Sequence, residues 1–197
     1  TESCGVYGAG VTFDEMRYVF NYQVVRGVNI FNLFSVPYAR TGFLMTGELP
    51  YITELHACYK DLPVFNAYLE KLSYVAGLGQ IDNSVALYMP VWDIWAGEKA
   101  EYYDEMFDKI GKELEKEHIM FDVFDDDVLK MADSEMLNGG VIAMGDVRYS
   151  VLVLPPCKYM PASNIEKLER FIAGGGTVFM VRCDERPEIH GAKIVEN

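Results

Sequence analysis

Histidine, tryptophan and cysteine are scarce in this sequence, with 3 His, 2 Trp and 4 Cys among 197 residues. Cys4, Cys58, Cys157 and Cys183 are scattered and form no C-x-x-C pair, which excludes a zinc knuckle and a dense disulfide framework. His56 and Cys58 together are too few for zinc, so no metal site is expected. Basic residues are also few: 17 Lys+Arg stand against 30 Asp+Glu, a formal net charge of -13. Without a basic stripe to neutralise phosphates, nucleic acid is excluded as a partner and anionic membrane surfaces are disfavoured. No apolar run approaches the ~18 to 20 residues needed to cross a bilayer. Asp125-Asp126-Asp127 lacks the Gly and distal Glu of a calcium loop and reads as a solvated loop or the N-cap of a following turn. Gly174-Gly175-Gly176 lacks the Gly-Lys-Ser/Thr of a phosphate cradle, and a helix C-cap with a tight turn is the reading there. No phosphate-binding turn follows a strand, so a nucleotide binder is not supported and no cofactor is expected.

Half of the residues are apolar and 13% are aromatic, enough for a sizeable core. Thr12 and Glu15 predict a capping box, opening a helix with Met16, Val19, Phe20 and Val24 on one face and Gly27 as its stop. Residues 28–36 are nearly all apolar and end at Pro37, which predicts a strand buried on both faces of a parallel sheet. Residues 40–63, broken by Gly42, Gly47, Pro50 and Pro63, read as a long functional loop or lid. A helix is expected over 66–76, with Leu69, Leu72, Val75 and Ala76 inside.

Gly77 to Asn83 breaks this pattern, and the expected division is 1–79 and 80–197. Beyond it, strands are predicted at 84–89, 119–124, 141–144, 150–154 and 177–181. A strong amphipathic helix covers 98–117, with Tyr103, Met106, Phe107, Ile110 and Leu114 on one stripe. Ser163 and Glu166 predict a second capping box and helix, with Ile165, Leu168, Phe171 and Ile172 inside. Strand and helix alternate as in an open parallel sheet with crossover helices, so the fold class is α/β. Because a strand should lie before the first glycine-rich turn and only Thr1 precedes Glu2, the chain reads as a segment of a longer protein.

Glu2-Ser3-Cys4-Gly5-Val6-Tyr7-Gly8, then Tyr22-Gln23-Val24-Val25-Arg26-Gly27-Val28-Asn29 and the strand ending near Pro37-Tyr38, resemble the last two β/α units of a (β/α)8 catalytic barrel. The barrel is that of large bacterial glycoside hydrolases, the α-L-rhamnosidase-like enzymes of family 106 and their relatives. The resemblance continues through Tyr59-Lys60, Tyr68-Leu69, residues 151–156 and Gly174 to Thr177, covering nearly the whole chain. It implies that the second half is the flavodoxin-like or glutamine-amidotransferase-like domain that follows the barrel in such enzymes. It also implies that Glu2 sits at the carboxyl end of barrel strand seven as nucleophile or general base, with a partner carboxyl group on another strand. Asn32, Asn29, Tyr38 and Trp92 are then the substrate-binding candidates. The partners implied are a carbohydrate substrate, the remainder of the barrel and a second copy of the chain, and the bacterial cytoplasm is favoured over the periplasm. The chain departs from the rhamnosidase pattern at Phe34, where those members carry a histidine.

Several readings stay open. Asn29 and Asn32 either bond sugar hydroxyls or satisfy neighbouring backbone groups. Trp92 and Trp95 read first as packing between domains and second as shaping a sugar cleft, which Arg40, Phe43, Met45, Glu48 and Tyr59 also fit. Cys157 follows a buried strand where an amidotransferase-like fold holds its nucleophile, yet Pro156 and Lys158 flank it rather than glycines, so it reads as structural. A carbohydrate-binding or assembly module without activity is the alternative to the hydrolase.

Overall fold

A computed structural model describes residues 1–8, 10–33, 41–42, 52–79 and 83–196. Tyr38, Phe34 and the loop residues Arg40, Phe43, Met45 and Glu48 lie outside the described residues. The chain divides into two compact units, Thr1–Ile81 and Asp82–Asn197.

The first unit runs β1 (Glu2–Ser3), α1 (Phe13–Val24), β2 (Asn32–Leu33), a single 3-10 turn at Tyr59–Asp61 and α2 (Leu62–Ala76). The predicted capping box forms: Thr12 Oγ1 accepts the Glu15 N–H at 3.2 Å, and Glu15 Oε2 accepts the Thr12 N–H at 2.7 Å. These bonds satisfy two of the donors that a helix start leaves open. β1 and β2 pair in parallel, with Glu2 opposite Asn32 and Ser3 opposite Leu33. Under them lies an aromatic core of Phe13, Met16 and Phe20 from α1 and Phe65 and Leu69 from α2, in which the Phe13 and Phe65 rings stack at 4.6 Å. α2 starts four residues earlier than expected because Pro63 sits in its first turn, where a missing N–H costs nothing. Val75, expected inside, is exposed; the stripe that packs is Leu62, Phe65, Tyr68, Leu69 and Leu72.

The second unit contains β3 (Val85–Tyr88), α3 (Val91–Ala96), α4 (Ala100–Lys116), β4 (Asp122–Phe124), α5 (Asp126–Met131), α6 (Ser134–Asn138), β5 (Ile142–Met144), β6 (Val147–Tyr149), β7 (Val151–Leu154), α7 (Ala162–Ala173), β8 (Thr177–Val181) and β9 (Lys193–Val195). Five of the strands form a parallel sheet in the order β4-β3-β7-β8-β9. Counted along the chain that order is 2-1-3-4-5, a doubly wound arrangement. α4 lies over the Leu87 face, where a Cβ on Gly111 would be 3.5 Å from Leu87 and 3.2 Å from Phe121. The opposite face buries Ala86, Tyr88, Leu152 and Leu154 against Leu168 and Phe171 of α7. The fold class is therefore α/β, with helices on both faces of a parallel sheet.

Two expectations are corrected here. Residues 141–144 do not join the parallel sheet: β5 pairs antiparallel with β6 as a hairpin closed at Gly145, whose φ of 58° suits a tight turn. The Ser163/Glu166 box does not form, because α7 begins at Ala162 behind Pro161 with no side-chain cap. Of the two readings of Asp125-Asp126-Asp127, the N-cap is the one that forms: Asp125 caps α5 by accepting the Val128 N–H at 2.9 Å, and Asp126 is buried.

The triple glycine is structural. Gly174 is the C-cap of α7 and Gly175 has φ 108°. A Cβ on Gly174 would fall 2.5 Å from the Asn138 carbonyl oxygen, so the ends of α6 and α7 meet with no room for a side chain.

Candidate functional site

In a parallel pair, register partners project to the same side of the sheet. Ser3 is buried toward the helices, and its hydroxyl donates to Gln23 Oε1 on α1 at 2.8 Å. Leu33, its partner, packs on the same helix-side core. Glu2 and Asn32 therefore share the other face, side by side and exposed.

The backbone just beyond Glu2 is bent into an uncommon conformation. Cys4 and Val6 have φ of 69° and 62°, the left-handed region that disfavours a β-branched residue such as Val6. Such turns persist where the surroundings over-determine them, and they cluster at functional sites.

Of the other candidates, Asn29 is exposed three residues before Asn32, and its carbonyl accepts the Ser73 hydroxyl of α2 at 2.5 Å. Trp92 belongs to the second unit, on α3. Among the described candidates the first unit thus brings together Glu2 and Asn32, while Tyr38 lies outside the described residues. His56 is buried against Phe13, and its Nδ1 accepts the Cys58 N–H at 3.2 Å. Among the described residues no group of three or more His, Cys, Asp or Glu could hold a metal ion.

A second cluster lies at the carboxyl ends of β3 and β7. Asp93 is fully buried; its carboxylate accepts the N–H groups of Lys158 at 2.9 Å and Tyr159 at 3.3 Å. Burial raises its pKa, and those two donors oppose the rise. Asp126 accepts the Tyr88 hydroxyl at 2.8 Å and Asn164 Nδ2 at 2.8 Å. Asn164 Oδ1 is buried without a partner. Cys157 is buried among these groups, and desolvation, reinforced by Asp93, pushes its thiol far up. A thiol held protonated there is no nucleophile.

No protein-family model, curated protein or solved structure matches this chain. The geometry of the two clusters therefore carries the functional argument. Sequence reasoning missed Tyr88, Asp93 and Asn164, and it took Asp126 for part of a loop or cap. For Tyr88, Asp93 and Asp126 the one signal was a polar residue ending or soon following an apolar strand, a pattern that suits an exposed loop equally well; for Asn164, inside α7, there was none. Among the described residues no helix is long and apolar enough to cross a membrane.

Proposed function

We propose that the chain is part of a bacterial glycoside hydrolase: the last two β/α units of its catalytic barrel, followed by a flavodoxin-like or amidotransferase-like unit without chemistry of its own. The observation that supports this reading is the register of Glu2 with Asn32 on the exposed face of two parallel strands.

Cleaving a glycosidic bond requires two carboxyl groups, one protonated to aid the leaving group and one ionised to attack or to activate water. In this reading Glu2 supplies the ionised group. The partner carboxyl group comes from another barrel strand, within ~5 to 9.5 Å. Asn32 holds a sugar hydroxyl beside the reacting carbon, with its amide as both donor and acceptor. The buried, protonated Cys157 argues against amidotransferase chemistry in the second unit.

The test is Glu2→Gln in the full-length protein, assayed on nitrophenyl glycosides. The substitution keeps shape but removes the charge opposite the developing oxocarbenium ion, so kcat falls ~10³-fold, about 4 kcal/mol, at unchanged melting temperature. Azide restores turnover to Glu2→Ala by occupying the vacated space. Unaltered turnover in Glu2→Gln reduces Glu2 to an ordinary exposed acid and discards the reading.

A further inference from the structure

α3 carries both tryptophans of the chain. The i,i+3 spacing puts Trp92 and Trp95 on one face of the helix, while Asp93, about 100° further round, turns inward. Trp92 is 48% exposed and Trp95 74%, and their rings meet edge to face at 5.9 Å. With Ala96 they form one wall of an open groove of about 470 Å³, and Tyr159, Met160 and Pro161 form the other. Asp93 ties the walls together, because it stands on α3 and holds the backbone of Lys158 and Tyr159. The groove is thus preformed. It lies beyond the carboxyl ends of β3 and β7, where the strand order reverses and doubly wound sheets take their ligands.

The lining selects the kind of ligand. Among the described residues no charged side chain lines the groove. An anion would need the Lys158 and Tyr159 N–H groups, which already hold Asp93, and it would meet a chain of net charge -13. A cation would compete with Lys158, whose ammonium lies 5.0 Å from the Tyr159 ring centre and pairs with Glu185 at 2.9 Å. A second copy needs roughly 20 to 30 residues a side for a stable interface, against six lining residues here. A neutral ligand with flat apolar faces and hydroxyl edges meets none of these obstacles. The C–H face of a pyranose stacks on an indole, and its hydroxyls reach the indole N–H and Tyr159 hydroxyl groups at the rim. Because the groove is open, it suits a chain of sugars. We propose that this groove binds a neutral oligosaccharide. The proposal rests on the groove alone and does not require Glu2 to be catalytic.

Because the chain has only these two tryptophans, its intrinsic indole emission reports this groove and nothing else. The full chain is titrated with cellohexaose, xylohexaose and mannohexaose, with hexagalacturonate and choline as charged comparisons. At least one neutral hexasaccharide is expected to shift the emission saturably, with Kd roughly between 10 μM and 1 mM, or about 4 to 7 kcal/mol. Calorimetry should show at least tenfold weaker binding for Trp95→Ala with an unchanged circular dichroism spectrum, and near-wild-type binding for Trp95→Phe. Glu2→Gln should leave the titration unchanged, so groove binding and hydrolysis fail independently. Three results overturn the proposal: no neutral sugar shifts the emission, a charged ligand binds more tightly, or the emission changes on dilution in step with a doubled mass in sedimentation.

Discussion

The Tyr88 hydroxyl donates to Asp126 Oδ2 at 2.8 Å, joining the end of β3 to the start of α5 in the buried interior of the second unit. Tyr88→Phe keeps the ring but leaves that carboxylate short of a donor, a loss of about 1 to 3 kcal/mol in urea denaturation at pH 7. Burial, then the bond to Asp126, raises the Tyr88 pKa far above its ordinary 10.0. A phenol so raised contributes stability that is complete below pH 10 and is lost as the unfolded chain ionises above it. The stability of the wild type should therefore fall more steeply above pH 10 than that of Tyr88→Phe. Parallel curves would show that this phenol does not set the alkaline limb.

Asp93 works in the opposite pH range. Burial raises its pKa above the ordinary 3.8, so the folded state holds this proton more tightly than the unfolded chain does. The resulting stability is complete below pH 3.8 and is lost as the pH climbs through the raised value. Asp93→Asn cannot titrate, so the difference in stability between wild type and variant should be constant below pH 3.8 and change as the pH climbs above it. A difference independent of pH from 3 to 7 would contradict the assignment.

Thiol labelling separates the four cysteines. Burial pushes Cys4 up to about 11 and Cys157 further still, so neither offers thiolate at pH 8. An aromatic disulfide reagent should modify these two only after unfolding, whereas the half-buried Cys58 reacts in the native protein, and Cys183, whose thiol burial also pushes up, reacts more slowly. Cys157→Ala should leave any turnover of the full-length protein within about threefold. Fast native labelling of Cys157 would reopen its case as a nucleophile.

Two glycines offer a matched comparison. A Cβ on Gly140 would stand 2.5 Å from the Gly176 nitrogen and 2.7 Å from the Gly174 carbonyl oxygen, all of it backbone that cannot swing aside. Gly145 also has positive φ, but its surroundings are open. Gly140→Ala should cost about 2 to 4 kcal/mol and Gly145→Ala about 1 kcal/mol in the same denaturation assay. Equal losses would show that φ alone matters and that the close approach does not.

The elements legible in the sequence were those in which a local signal and tertiary packing agree. Thr12 and Glu15 announced α1 because a capping box is satisfied within four residues. Tyr103, Met106, Ile110 and Leu114 announced α4 because their spacing is the helical period. Local signals mislead where a neighbouring stretch of chain decides the outcome. Residues 141–144 have the composition of a core strand, yet Tyr149 stands ready as a hairpin partner for Ile142 only a few residues away. Ser163 and Glu166 have the spacing of a cap, but Pro161 starts the helix two residues too early. Glu2 and Asn32 stand out separately in the sequence, and their register is not readable there, since it depends on how α1 returns the chain. Asp93 was invisible for a related reason. Its donors, Lys158 and Tyr159, are 65 and 66 residues away in the chain.

The central position of β3 has a cost during synthesis. Val85 pairs with Val151 of β7, so four helices, β4 and the β5–β6 hairpin are made before that edge of β3 is covered. At ~5 to 20 residues per second the delay is on the order of several seconds. α4 emerges early and can shield the Leu87 side through Gly111, but the Ala86 and Tyr88 side must wait for α7. In a nascent chain stalled before residue 150, β3 is the segment a holdase chaperone would find, half wrapped and with one edge bare.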